Sequence, residues 1–413
     1  MTVDRKIVLH DSFAFLGGGE RVAMALAKDF HAELWTGQLD KGSFFEGCFD
    51  GLKLRSLDAY KTSPRVLGFS QILQLWWAFA HLPKVATSWA VFSGSFSPLA
   101  YKKIAGRKIF YCHTPPRVLY DQRSFMVRQL PPWQRPFLRG VMVLYRLAYE
   151  RAVRGMNTIV TNSETVRKRL RKFLGHDSLV VYPPCETGRF RWIEEGNYFL
   201  STARVDPLKR VALIVEAFMK MPDKRLVVIS GGSDMPRIRE MAGRVENIDV
   251  LGWVDDEKLC DLMGRCIATI YIPRDEDFGI SPVESMAAGK PVIGVQEGAL
   301  LETVGRERGA GSKAQGAGGG GQRSPRLNTL EGDPVQRGKE VGDRRAEAGR
   351  EMMITDCGVL VTRDPGIEDI VEAVEWMTPE RAIRMRGACE ARASRFDISI
   401  FLEKMKNVIE GEG

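Results

Sequence analysis

Short apolar segments alternate with helical patterns along most of the chain, and this alternation constrains its fold more than any other feature. In the first half, the strand-like segments are residues 6–10, 33–36, 89–93, 108–112 and 158–162. Helical patterns lie between them, around residues 68–82, 97–104, 137–153 and 164–173. Strands that alternate with helices form a parallel sheet covered by helices on both faces.

A proline-rich stop at residues 180–184 ends this first series, and the pattern then starts again. The second series of strand-like segments is 198–201, 226–230, 248–251, 268–272 and 291–295. We therefore predict an α/β protein with two doubly wound units, at residues 1–190 and 191–378, followed by a C-terminal helix at 379–413 that packs across both. A length of 413 residues suits two such units. Ligands of these sheets bind beyond the carboxyl ends of the strands, so the site is expected in a cleft between the units.

Residues 304–352 interrupt the second unit. This segment holds 12 glycines and 17 charged residues in 49 positions and has no aromatic residue. It cannot bury enough apolar surface to offset the entropy of ordering, so we predict that it is disordered. Three origins stay open: a functional basic loop, a passive insertion and an out-of-frame stretch of the gene.

The positive charge of the chain is concentrated in its first half. Of a net charge of +8, residues 1–190 alone carry 28 basic and 14 acidic residues. This excess favours an anionic partner: a lipid surface, a nucleic acid or a phosphate-bearing substrate. No aromatic-basic motif supports nucleic acid, and we predict none as a partner.

The cysteines and the apolar segments predict a cytoplasmic location. Seven scattered cysteines without a C-x-x-C pair indicate reduced thiols and give no metal-ligand spacing. The N-terminus lacks the apolar core of a signal peptide. Residues 66–83 are uncharged but contain polar side chains, which favours a buried or interfacial helix over a membrane span. Peripheral contact with the inner face of a membrane fits this pattern.

One segment, residues 273–293, carries the most chemical information. It is predicted to form a strand, an acidic loop, a short helix and a further strand. Glu276 precedes the helix and Glu284 lies eight positions later, inside it. The free amides at the helix start suit a phosphate or a sugar hydroxyl, and they belong to Gly279, Ile280 and Ser281. Glu284 can then accept hydrogen bonds from a ribose diol, and Glu276 from sugar hydroxyls.

Candidate partners for a diphosphate and a sugar follow other strands. Arg204 and Lys209 flank a turn after the first strand of the second unit, where a guanidinium fork and an ammonium group suit two phosphates; a solvated charge pair is the alternative. Gly18 and Gly19 follow the first strand and allow close backbone approach, although an ordinary tight turn explains them as well. His113 follows a strand at the expected cleft, and a purely structural histidine is the alternative.

The E-x7-E spacing, together with the segment D-F-G-I-S-P-V-E-S-M-A-A-G-K-P-V-I that follows its first glutamate, resembles the donor-site signature of glycosyltransferase family 4. Members of that family are retaining enzymes with the GT-B fold, in which two Rossmann-like domains face each other. The resemblance implies that Glu284 contacts the nucleotide ribose and Glu276 the transferred sugar, and it makes Phe278 a substrate-binding candidate. It also implies that an R-x4-K element, Arg204 and Lys209, binds the donor pyrophosphate, and that the G-G-x-E-R loop lines the cleft.

Further motifs extend this resemblance across nearly the whole chain outside 304–352. H-T-P-P-R at 113–117 resembles a motif of O-antigen-building mannosyltransferases, which implies that His113 borders the reacting sugar and Arg117 contacts the acceptor or a phosphate. Val254 begins a loop similar to one that borders the nucleotide base, and Gly231 is expected to line the same site. The implied reaction moves a hexose, first of all mannose from GDP-mannose, to a glycan or polyprenyl-diphosphate-linked hydroxyl.

The resemblance implies a reaction without metal or other cofactor, because cationic side chains and helix dipoles neutralise the diphosphate. The triplet at 275–277 can also be interpreted as a metal-binding D-x-D, the less favoured alternative. Two other functions stay open. One is a nucleotide-sugar epimerase or sucrose-type synthase of the same fold, and the other is a non-catalytic polyanion-binding protein.

Overall fold

A computed structural model describes residues 4–14, 17–40, 47–59, 70–128, 131–305 and 352–411. The prediction of disorder for residues 304–352 falls almost entirely outside these described residues. Within them, the chain forms two seven-stranded sheets, which confirms the predicted α/β class with two doubly wound units.

The first sheet has the strand order β3-β2-β1-β4-β5-β6-β7, and all its pairs are parallel. Its strands are β1 (Lys6–Phe13), β2 (Glu33–Leu39), β3 (Lys53–Ser56), β4 (Val85–Ser93), β5 (Ile104–Cys112), β6 (Thr158–Thr161) and β7 (Leu179–Val180). The α-helices of this unit are α1 (Gly18–Asp29), α2 (Ser70–Ala80), α3 (Arg123–Arg128), α4 (Arg135–Arg154) and α5 (Glu164–Leu174). Apolar clusters cover both faces of the sheet, as its fully buried central strands require.

The second sheet has the order β10-β9-β8-β11-β12-β14-β13 and is parallel except for the β13–β14 pair. Its strands are β8 (Tyr198–Ser201), β9 (Arg225–Ile229), β10 (Ile248–Gly252), β11 (Thr269–Ile270), β12 (Val292–Val295), β13 (Met353–Thr355) and β14 (Gly358–Val361). The helices that accompany it are α6 (Val211–Met219), α7 (Met235–Ala242), α8 (Asp256–Arg265), α9 (Ile280–Ala287), α10 (Leu300–Thr303) and α11 (Ile367–Trp376).

Two C-terminal helices connect the units. Helix α12 (Pro379–Ala393) packs on α9 of the second unit, whereas α13 (Ile398–Glu410) returns to the first. Phe401 and Met405 of α13 are buried in the same cluster as Val8 of β1 and Leu26 of α1. The chain therefore crosses between the units at residues 181–197 and again after α12.

Two predicted helices differ in detail from the structure. The predicted helix at 97–104 is a 3₁₀ helix, Ser97–Lys102, because Pro98 opens a short turn and β5 already begins at Ile104. The uncharged stretch at 66–83 contributes α2, of eleven residues. Among the described residues, no helix has both the length and the apolar composition needed to cross a bilayer.

Candidate functional site

A cavity of about 540 Å³ opens between the carboxyl ends of the two sheets. The first unit contributes the loop after β1 and the residues that follow β5 and β6, and the second contributes the loops after β8, β9, β10 and β11. Twelve of the fourteen predicted site residues line it: Gly18, Gly19, His113, Arg204, Lys209, Val254, Glu276, Phe278, Gly279, Ile280, Ser281 and Glu284. The other two, Arg117 and Gly231, lie elsewhere.

The start of helix α9 forms one wall of the cavity. Gly279 precedes the helix with a φ of +82°, in the left-handed region that glycine adopts at low cost. Its turn lets the chain enter the helix while the amides of Ile280 and Ser281 remain at the positive helix end. The aromatic ring of Phe278 is buried against Tyr182 and Phe396, which anchors the loop from behind.

Glu276 and Lys209 form an ion pair within the cavity wall. Lys209 Nζ lies 2.5 Å from Glu276 Oε2, and the hydroxyl of Tyr271 donates to the same oxygen at 2.9 Å. Burial alone would lower the pKa of Lys209, but the oxygens of Tyr271 and Glu276 outweigh it and raise that pKa above its usual value. Lys209 is therefore a permanent positive charge beside the predicted sugar-binding carboxylate.

Glu284 connects the second unit to the first. Its side chain is buried, and Arg21 Nη1 of helix α1 lies 2.7 Å from Glu284 Oε1. Arg204 also lines the cavity, is nearer the solvent and forms an ion pair with Asp206. Arg21, Arg204 and Lys209 therefore bring three cationic side chains to the cavity lining, and such side chains suit phosphate groups.

The glycine-rich loop brings the two units into close approach. A Cβ atom on Gly18 would lie 3.0 Å from the Ile280 side chain across the cavity. A Cβ on Gly19 would lie 3.3 Å from His10 and 3.5 Å from His113. Larger residues here would push the loop away from helix α9 or from the imidazoles. The lack of room for a side chain therefore explains why glycine occupies both positions.

His113 lies at the end of a polar chain that the sequence did not reveal. Its Nε2 is 2.8 Å from Ser93 Oγ, which is 3.3 Å from His10 Nδ1. Glu20 Oε1 lies 3.6 Å from the other nitrogen of His10, Nε2. Burial, reinforced by the neighbouring His10, lowers the pKa of His113 to about 3, so this imidazole is neutral at physiological pH.

Arg117 was expected to contact the acceptor or a phosphate, and the structure places it outside the cavity lining. Its guanidinium pairs with Asp121 and with Asp275 at 2.9 Å and 2.6 Å. The buried Arg169 of α5 joins Asp275 and Asp277, which lie on either side of Glu276. This arrangement holds the acidic loop against the first unit, and contact of Arg117 with an acceptor or a phosphate stays a prediction.

Gly231 also lies behind the cavity rather than in its lining. Its carbonyl accepts a hydrogen bond from Val205 N at 2.8 Å, and a Cβ would collide with Trp253 Nε1 at 2.2 Å. The neighbouring Ser230 and Trp253 line the cavity instead. Contact of Gly231 with the nucleotide stays a prediction.

The aspartates of the 275–277 triplet are paired with arginines of the first unit, which leaves the metal-binding D-x-D interpretation without support. Among the described residues, no group of three or more His, Cys, Asp or Glu side chains is arranged to hold a metal ion. The residues that sequence reasoning left unassigned are His10, Glu20, Arg21, Ser93, Trp253 and Tyr271. Glu20 and Arg21 belong to the recognised G-G-G-E-R loop, whereas the remaining four carry no local signal.

Comparison with known proteins shows which family part of the chain resembles. Residues 187–312 match the model described as "Glycosyl transferases group 1". Over these residues the chain is similar to the group 1 glycosyltransferases. It is similar to the alpha-1,3/1,6-mannosyltransferase ALG2 of Saccharomyces cerevisiae, with 26% identity over 362 residues, 70% of this chain and 69% of that protein. It is also similar to ALG2 of Dictyostelium discoideum, with 26% identity over 48% of this chain.

A bacterial relative is the O-antigen chain mannosyltransferase RfbU of Salmonella typhimurium, which is 27% identical over 46% of this chain. The aligned region spans 56% of the RfbU sequence and likewise 56% of the Dictyostelium sequence, a little over half of each.

Solved structures support the same fold. The sucrose-phosphate synthase of Thermosynechococcus elongatus superposes with a TM-score of 0.69 and 14% identity, covering 99% of this chain and 98% of that one. The structure of Anabaena HepE in complex with UDP and glucose superposes with a TM-score of 0.64 and 12% identity. The superposition covers 98% of this chain and 99% of the HepE chain. The architecture is GT-B, as the sequence predicts.

Proposed function

We propose that this glycosyltransferase moves a hexose from a nucleotide-diphosphate sugar to an acceptor hydroxyl and retains the configuration of the anomeric carbon. The observation that carries the proposal is the convergence of side chains from both units on one cavity. Glu276, Glu284 and Lys209 from the second unit line it together with His113 from the first. Carboxylates suit hydroxyl groups and a lysine suits a phosphate, so the cavity offers partners for each part of the donor.

The donor that we propose is GDP-mannose. The relatives from yeast, Dictyostelium and Salmonella are all named mannosyltransferases, although each is only about a quarter identical to this chain. The H-T-P-P-R motif that begins at His113 points in the same direction. A UDP-sugar is the principal competitor, because the similar HepE structure contains UDP.

In the proposed mechanism, catalysis comes from positioning and charge stabilisation. Lys209 and Arg204 stabilise the negative charge that builds on the departing diphosphate. The bond between the anomeric carbon and the phosphate oxygen breaks while the acceptor oxygen bonds to the same face of that carbon. The acceptor proton passes to the phosphate oxygen that leaves. Glu276 accepts hydrogen bonds from the sugar hydroxyls and Glu284 from the ribose diol, without covalent attachment to the protein.

A transfer assay tests this proposal. GDP-mannose is incubated with the protein and a polyprenyl-diphosphate-linked glycan, and GDP release and the anomeric proton of the product are recorded. We expect GDP and an α-linked product, with EDTA leaving the rate unchanged because no metal takes part. An epimerase would change the sugar without releasing GDP, and a sucrose-type synthase would require a free sugar or a sugar phosphate as acceptor. Binding to polyanions without turnover of any nucleotide sugar would contradict the proposal.

We further propose that the first unit rests on an anionic membrane that holds a lipid-linked acceptor. Helix α4 exposes Phe137, Leu144 and Leu147, each more than half accessible, along one helical face. Arg139 and Arg146 are exposed on the same helix. Apolar side chains flanked by arginines suit the boundary between acyl chains and anionic headgroups. Leu138 of the same helix is buried in the core.

Vesicle flotation tests the membrane proposal. We expect the protein to float with vesicles that contain phosphatidylglycerol and to remain in the dense fraction with phosphatidylcholine alone. The double variant Leu144→Glu/Leu147→Glu should lose flotation. Ile383→Glu, an equally apolar but exposed position on α12 of the second unit, serves as the matched control. Equal flotation of all three proteins would contradict this surface assignment.

A further inference from the structure

Three neighbouring strands bring His10, Ser93 and His113 together at one edge of the first sheet. Strand β1 lies between β2 and β4, and β4 pairs with β5. In this register His10 is the direct partner of Ser93, and Ser93 is the partner of Tyr111, two residues before His113. The contacts between these side chains therefore follow from the strand register and not from a flexible loop.

The backbone around Ser93 is fixed. The carboxylate of Asp11, the residue after His10, accepts hydrogen bonds from the amides of Phe96 and Ser97 at 2.9 Å and 2.8 Å. Gly94, with a φ of +138°, leaves no room for a side chain beside Asp11. Ser93 Oγ is consequently held between the two imidazoles and has little freedom to choose other partners.

The order of partners defines the direction of the hydrogen bonds. A carboxylate beside His10 Nε2 favours a proton on that nitrogen, so His10 Nδ1 is an acceptor when the ring is neutral. Ser93 then donates its hydroxyl proton to His10 Nδ1, and its oxygen accepts from His113 Nε2–H. We propose that Glu20, His10 and Ser93 are positioning residues that hold His113 in the Nε2–H tautomer, with Nδ1 unprotonated.

This tautomer determines what His113 offers the cavity. A neutral imidazole that donates from Nε2 to Ser93 has Nδ1 as its acceptor, so it receives a hydrogen bond from a hydroxyl group and cannot give one. The low pKa of His113 agrees with this state, because burial keeps the ring neutral. The suggested consequence, orientation of a hydroxyl of the reacting sugar or acceptor, rests on the proposed function, whereas the tautomer itself does not.

Nitrogen NMR of the ligand-free protein tests the tautomer directly. The chain has five histidines, so a long-range ¹H–¹⁵N spectrum of histidine-labelled protein can be assigned with single His→Gln variants. We expect the Nε2–H pattern for both His10 and His113 at neutral pH. Ser93→Ala should convert His113 to a mixture of tautomers. Ser97→Ala is the matched control, because the buried Ser97 Oγ has no hydrogen-bond partner among the described residues. An Nδ1–H pattern for His113 in the unaltered protein would overturn the proposal.

Kinetics of the same variants test its consequence. With a transferable donor, Ser93→Ala should lower kcat about tenfold, the effect of one lost hydrogen bond in the transition state, while the donor KM changes less than about threefold. Ser97→Ala should match the unaltered protein in both constants. If kcat fell equally in the two serine variants, or if only KM changed, Ser93 would not act by positioning His113. If no donor is turned over at all, the proposed function fails while the NMR result still decides the tautomer.

Discussion

Lys209 is the single side chain on which the proposed chemistry depends most. Its ammonium group contacts Glu276 and Tyr271 inside the cavity and carries a permanent positive charge. Lys209→Ala should lower kcat at least about 100-fold, since removal of one preorganised charge typically costs that much, with the melting temperature nearly unchanged. Lys220→Ala removes a lysine whose ion pair with Glu368 lies on the surface, and it should leave kcat unaffected. Comparable rates for the two variants would refute the assignment.

The burial of His113 predicts how the stability of the protein depends on pH, and this can be measured without a substrate. The folded protein lowers the pKa of this imidazole from an ordinary value of 6.5 to about 3. Between these values the unfolded chain binds a proton that the folded chain does not, so the free energy of unfolding decreases as pH falls below about 6.5. Removing the imidazole removes this contribution. The melting temperature of His113→Gln should therefore fall less between pH 7 and pH 4.5 than that of the unaltered protein, and parallel curves would contradict the burial.

Among single residues, the sequence predicts those whose role follows from neighbours in the same short motif. Glu276 and Glu284 follow from an eight-residue spacing, and both line the cavity. Arg117 shows the limit of such reasoning, because its partner Asp275 is 158 residues away and belongs to the other unit. No spacing rule connects two residues that meet only after both sheets have folded.

A carboxylate from the second unit caps the N-terminus of helix α5. Glu302 accepts hydrogen bonds from the amides of Glu164 and Thr165 at 2.8 Å and 2.7 Å, next to the Ser163 cap. A carboxylate at a helix N-terminus satisfies free amides and complements the helix dipole. Glu302→Ala should therefore lower the free energy of unfolding by about 1–2 kcal/mol in urea titrations.

Glu240→Ala is the control for this measurement, because Glu240 belongs to an exposed ion pair with Arg244. Its effect on the free energy of unfolding should stay within about 0.5 kcal/mol. Equal effects of the two substitutions would show that Glu302 does not cap α5.

Strands that consist of a continuous apolar segment were predictable from the sequence. Short strands near the edge of the sheet were not. The five strand-like segments expected in each half all correspond to strands. Strand β3 was missed because it is a four-residue edge strand in which exposed and half-buried positions alternate. Strand β7 has only two residues, and its pairing with β6 is imposed by the tertiary structure and carries no local signal.

At the scale of the whole molecule, the sequence predicts two facing units but not the contacts that join them. The repeated strand–helix pattern and the proline stop are sufficient for the two sheets. Their relative position depends on ion pairs of α1 and α5 with the loop and helix after β11, such as Arg21 with Glu284 and Arg169 with Asp275. These pairs close the cleft around the cavity, so they determine its shape.

The most direct test of this account is a thermal-shift measurement with GDP-mannose, UDP-glucose and ADP-glucose at equal concentrations. A donor that binds only the folded protein stabilises it by about 2.7 kcal/mol at 100 times its Kd. We expect GDP-mannose to give the largest increase in melting temperature, Lys209→Ala to abolish the increase and Lys220→Ala to preserve it. No increase with any nucleotide sugar, or the same increase in both lysine variants, would contradict binding of an activated sugar in the cleft.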